Sequence, residues 1–146
     1  SKCIMDYKLH MLWKNEEDTE IHSTIDLSNL NLTILYNEHY FSLFEEVNLG
    51  ANDLSNSLPR LSALQECKKL SLSSNNLQSL KDFPTLRSLE ILSLRNNKLS
   101  NFDEIADLVK RHGLIKLDLR DNPISNTEGI ATQLMEICGE LEVIVD

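Results

Sequence analysis

Apolar and polar residues alternate along this chain for a few positions, stop at an asparagine, and then begin again. The segments FEEVNLGANDL (44–54), CKKLSLSSNNL (67–77), LEILSLRNNKL (89–99) and LIKLDLRDNPI (114–124) share one spacing, with aliphatic residues at positions 4, 6 and 11 and asparagine at position 9. The asparagines are Asn52, Asn75, Asn97 and Asn122, 22–25 residues apart. Strict alternation over so few residues predicts a short strand with one buried face. Leu70 and Leu72, Leu92 and Leu94, and Leu117 and Leu119 then aim inward together, and their neighbours aim at solvent. A weaker copy, HSTIDLSNLNL (22–32), places Ile25, Leu27 and Leu32 in the apolar positions and Leu30 where asparagine stands elsewhere. LEVIVD (141–146) begins a truncated sixth copy.

The segments between strands read differently from one another. SNFDEIADLVKRHG (100–113) spaces Phe102, Ile105, Leu108 and Val109 as a helix ending at Gly113. QSLKDFPTLRS (78–88) is shorter and holds a proline, which predicts 3₁₀ turns in place of a full helix. Ile4, Met5, Leu9, Leu12 and Trp13 fall at helical spacing and predict an amphipathic helix over the first repeat. Towards the other end, Ser125-x-x-Glu128 reads as a capping box opening a helix with Ile130, Leu134 and Ile137 on one face, stopped by Gly139.

One repeat buries too few side chains to offset the entropy of fixing some two dozen residues, so the copies must stack. An asparagine at the bend both donates and accepts, and a column of such amides can serve backbone groups that leucine cannot. In these features the chain resembles a leucine-rich-repeat (LRR) array. The resemblance implies an α/β solenoid, a short horseshoe of five to six repeats with a parallel concave sheet, convex helices and 3₁₀ turns, and helical caps. Residues 1–146 form one such domain, divided into an N-terminal cap (1–21), repeats (22–124) and a C-terminal cap (125–146), expected to be a fragment of a larger subunit.

Charge narrows the partners. The 23 acidic and 14 basic residues leave a formal net charge of -9, which repels nucleic-acid phosphates and anionic membranes. Three widely spaced cysteines, Cys3, Cys67 and Cys138, fit reduced thiols, and no signal-like or membrane-length apolar run occurs, so a cytoplasmic location is expected. His10, His22, His39 and His112 are scattered without ligand spacing, and nucleophile-elbow, P-loop and dinucleotide motifs are missing. The domain is expected to be non-catalytic on its own, with no cofactor or metal.

What remains is the exposed face of the strands. Position 3 contributes Thr24, Glu46, Lys69, Ile91 and Lys116; position 5 contributes Asp26, Asn48, Ser71, Ser93 and Asp118; position 7 contributes Ser28, Gly50, Ser73, Arg95 and Arg120. The middle is small and polar, and Arg95, Lys116, Asp118 and Arg120 are predicted to gather at one end. These four, with Glu46 and Lys69, are the candidate protein-binding residues, set against the plainer reading of a surface salt-bridge cluster.

Finer motifs add a second resemblance. The first repeat IDLSNLNLTIL, the Leu58-Pro59 step after Asn52, and the closing Gly129-Ile130 with Leu134 are similar to the C-terminal LRR domain of the Rab geranylgeranyltransferase α subunit, departing from it at Asn31, where that family tends to an acidic residue. The resemblance implies an accessory domain in Rab prenylation, whose partners would be the prenyltransferase β subunit, the Rab escort protein or Rab itself, with the prenyl and zinc sites outside this chain. The competing resemblance is to stand-alone acidic LRR adaptors, such as nuclear acidic phosphoproteins and phosphatase regulators, which hold a protein partner on the concave face; a third is to the spliceosomal LRR protein, which binds through a protein partner.

Overall fold

The computed structural model describes Ile4, residues 23–36 and residues 38–146, apart from the side chains at 38, 39 and 42. The amphipathic segment 4–13 and the N-terminal cap 1–21 lie, except for Ile4, outside the described residues. Six three-residue strands follow one another as β1 (Thr24–Asp26), β2 (Glu46–Asn48), β3 (Lys69–Ser71), β4 (Ile91–Ser93), β5 (Lys116–Asp118) and β6 (Glu142–Ile144). They form one parallel sheet in the order β1-β2-β3-β4-β5-β6, with every neighbour in sequence also a neighbour in space. The fold is an α/β leucine-rich-repeat solenoid with an open sheet, as the repeat spacing predicts.

The register is that of the sequence columns. Ile25, Val47, Leu70, Leu92 and Leu117 stand side by side at position 4, and all are at most 3% exposed. Leu27, Leu49, Leu72, Leu94 and Leu119 at position 6 are fully buried. The ladder continues past the strands: the N–H groups of Leu27, Leu49, Leu72, Leu94 and Leu119 donate to carbonyls of the following repeat at 2.8–2.9 Å. Each repeat therefore closes its neighbour's hydrogen bonds, which ties local stability to stacking.

The return segments lie behind the sheet and differ from one another, and the 3₁₀ turns expected over 78–88 do not form. Residues Glu38–Leu43 and Leu58–Ala63 are 3₁₀ helices, and residues 78–88 contain turns only. Helix α1 spans Phe102–His112. Its N-cap is Asn101, whose side chain accepts the Glu104 N–H at 3.2 Å, and its C-cap is Gly113 at φ 58°. Acidic residues fill its first turn and basic ones its last, as the helix dipole favours.

The C-terminal helix, α2, departs from expectation. It spans Ile130–Ile137, with Ile130 and Leu134 buried, and opens behind Gly129 at φ 78° with no side-chain cap. The expected capping box does not form because the Ser125 hydroxyl donates instead to the Asn122 carbonyl at 2.6 Å, closing the 3₁₀ turn Pro123–Asn126. Nor does Gly139 end the helix. It stops at Ile137, and Cys138 carries the chain on in extended conformation towards β6.

A regularity not foreseen from the residues sits just before each asparagine. Position 8 is left-handed in every repeat, at Asn29, Ala51, Ser74, Asn96 and Asp121, with φ of 54–58°. Asparagine and aspartate tolerate this region, whereas alanine and serine are strained in it. The turn swings the next side chain inward, and Asn52, Asn75, Asn97 and Asn122 are all buried.

Candidate concave-face site

The asparagine column supports the whole face. The Asn97 Nδ2 donates to the carbonyls of Leu72 (3.0 Å) and Leu94 (2.9 Å), while its Oδ1 accepts the N–H groups of Asn75 and Leu77, each at 3.0 Å. Asn52 does the same between Leu27 and Leu49 carbonyls and the N–H groups of Leu30 and Leu32. Among the described residues, no buried side-chain nitrogen or oxygen lacks a hydrogen-bond partner.

Position 5 residues are largely spent on their own strand ends. The carboxylate or amide oxygens of Asp26, Asn48 and Asp118 accept the N–H two residues on, from Ser28 (2.9 Å), Gly50 (2.9 Å) and Arg120 (3.1 Å). A β-carbon on Gly50 would come within 3.1 Å of that Asn48 oxygen, and its absence leaves the floor flat here. Beside it the hydroxyls of Ser71, Ser73 and Ser93 form a chain, each link 3.0 Å. The serines bond one another, and among the described residues none of their hydroxyls bonds a histidine. The His112 ring lies elsewhere, on the return side: its Nε2 accepts the Leu86 N–H at 3.0 Å and its Nδ1 faces the Leu108 carbonyl at 2.8 Å, which places the proton on Nδ1.

The six candidate residues divide into two groups. Asp118 and Arg120 pair with each other in a two-pronged contact, at 3.0 and 2.7 Å. Burial pushes the Asp118 carboxyl up, but the hydrogen bonds and charge of Arg120, with the charge of Arg95 behind them, outweigh it and hold the group below its usual range. The Arg120 guanidinium is raised in turn by the same hydrogen bond. Arg95 turns off the face to Asp121 at 3.1 Å. Of the expected four-charge cluster, Asp118 and Arg120 pair with each other, Arg95 pairs with Asp121 on the left-handed turn, and Lys116 joins neither pair among the described residues.

Lys116 belongs to the other group. Glu46, Lys69 and Lys116 lie in one row across the sheet, and none of the three forms an ion pair within 4 Å among the described residues. Ile91 stands between the two lysines, half-buried. The row also gains Glu142, and position 5 gains Ile144, from β6. The alternation in LEVIV carries the signal for both. A depression of about 300 Å³ lies over β1–β4, and a second of about 230 Å³ over β3–β6, with Lys69, Ile91 and Ser93 common to both.

Elsewhere the chemistry is quiet. Burial drives the Cys67 thiol up to about 12, so it stays protonated and packs as a core residue, and Cys138 faces the Leu114 carbonyl. Among the described residues, no group of three or more His, Cys, Asp and Glu is placed to hold a metal ion, and no helix is long and apolar enough to cross a membrane.

The sequence pattern of the Leucine Rich Repeat family matches residues 88–108. No curated protein matches the sequence. Among solved structures, the chain is similar to the Mex67:Mtr2 subunits of Chaetomium, with 20% identity, 99% of this chain and 90% of that one covered, and a TM-score of 0.52. It is also similar to internalin C2 from Listeria monocytogenes, with 17% identity, 88% and 82% covered, and a TM-score of 0.46. These likenesses concern the fold, and neither structure is a prenyltransferase.

Proposed function

We propose that this leucine-rich-repeat protein is a non-catalytic interaction module that holds a segment of a protein partner on the exposed face of its sheet. The observation that carries the reading is the pair of adjoining depressions over β1–β4 and β3–β6, which share Lys69, Ile91 and Ser93, have the small side chains Ser71 and Ser93 in their lining, and carry Lys69 and Lys116, which form no ion pair among the described residues. A lining of this kind admits a partner's backbone closely, and exposed columns in fixed register supply specificity. Its lack of large aromatic anchors limits the affinity of the face.

The test is affinity capture with wild type, Ser93→Arg, which fills the groove, and Arg87→Glu on the return side. Partners that depend on the sheet are lost with Ser93→Arg and kept with Arg87→Glu. Retention of every partner by Ser93→Arg removes the concave face from consideration.

The finer reading, a cytoplasmic accessory domain of a Rab geranylgeranyltransferase α subunit acting beside the β subunit, the Rab escort protein or Rab, is supported by the first-repeat, Leu58-Pro59 and Gly129-Ile130 motifs. Sequencing the gene upstream of Ser1 tests it: tryptophan-bearing helical repeats there support it, and a nearby start codon favours the stand-alone adaptor.

A further inference from the structure

The row at position 3 has an order of its own. In register across β2–β6 it reads Glu46, Lys69, Ile91, Lys116, Glu142, or acid, base, apolar, base, acid, with steps of about 4.8 Å. Lys69 is exposed and Lys116 half-buried, and both look into the groove on either side of Ile91.

We propose that the groove takes an acidic amphipathic helix from the protein partner, lying across the strands, with an apolar side chain on Ile91 and one carboxylate a turn to either side on Lys69 and Lys116. This rests on the concave-face reading above and specifies its ligand. A helix presents residues i, i+3 or i+4, and i+7 on one face, and i to i+7 spans about 10.5 Å, against about 9.6 Å for the two strand steps from Lys69 to Lys116. An extended segment shows same-side residues every ~6.7 Å and cannot set three of them on three successive strands.

The outer acids sharpen the choice. Glu46 and Glu142 repel a helix whose acidic run continues, so the ligand is acid–apolar–acid flanked by neutral or basic residues. The chain's net charge of -9 makes this local match, and not the global field, the source of attraction.

The experiment is fluorescence anisotropy of the whole chain with labelled synthetic helices of about 20 residues. One carries a Glu-x-x-Leu-x-x-x-Glu face between basic flanks. A second has the same composition with a central proline, and a third replaces both glutamates by glutamine. The first is expected to bind most tightly and to weaken as salt rises. Lys69→Glu with Lys116→Glu is expected to weaken it at least about tenfold, whereas Lys81→Glu leaves it unchanged. Both lysines are on the surface, and a melting curve confirms that the variant folds. Equal binding of the proline peptide, or undiminished binding by the double variant, overturns the inference. Should Ser93→Arg abolish partner capture while the designed helix fails to bind, the concave-face reading survives and the helical ligand does not.

Discussion

The side-chain oxygen of Asn97 accepts the backbone N–H of Asn75, one full repeat upstream, at 3.0 Å. Each amide in the column is thus both a ligand of its own turn and the means by which its neighbour's turn is held. Replacing Asn97 by leucine strands the N–H groups of Asn75 and Leu77, each buried. At about 1–3 kcal/mol per orphaned group, the cost is about 2–6 kcal/mol. Asn122→Leu strands one N–H, that of Leu99, where Asn97→Leu strands two, while each variant also removes an amide donor from two leucine carbonyls, so Asn122→Leu should cost less. Urea denaturation of the two variants gives the comparison; equal losses would show that packing and not the amide column sets the cost.

Ala51 adopts φ 54° at an exposed position, in the place where the other repeats use asparagine, aspartate or, at Ser74, serine. The left-handed region costs a non-glycine residue about 1–2 kcal/mol, and glycine gives back about 0.5–1 kcal/mol of that in chain entropy. Ala51→Gly is therefore expected to stabilise the fold by about 0.5–1 kcal/mol, read as a higher denaturation midpoint at constant slope. A lower midpoint would contradict the left-handed turn.

His112 links two return segments through Leu86 and Leu108, and burial, helped by the charge of Arg111, lowers its pKa below the ordinary value of 6.5. The folded state therefore prefers the neutral ring. Its contribution is complete above about pH 6.5 and is lost as pH falls through the lowered folded value. The stability advantage of wild type over His112→Gln should narrow between pH 7 and pH 5, measured by denaturation at each pH. A gap that stays constant would mean that the ring does not titrate differently in the two states.

Asp118 neutralises Arg120 beside the groove. Asp118→Asn keeps an oxygen for the Arg120 N–H and removes the charge, leaving Arg120 available to a ligand carboxylate. The acidic helix described above should bind about threefold more tightly to this variant. Weaker binding in anisotropy titrations would place Asp118 itself among the ligand's contacts.

Much of this molecule is decided by short-range pattern. Alternation puts Leu70 and Leu72 on the same side whatever surrounds them, and the recurrence of that phrase dictates stacking, because one copy cannot bury its own leucines. Strand register, the buried asparagine column, and helix Phe102–His112 with its Asn101 and Gly113 caps all follow from spacing within a dozen residues. Three-dimensional neighbours decided the rest. Arg95 chose Asp121 over Asp118, Ser125 bonded to Asn122 in place of opening a helix, and Glu142 completed a row begun by Glu46. Charges and hydroxyls have several partners of similar energy within reach, and only the packed positions of adjacent turns select among them.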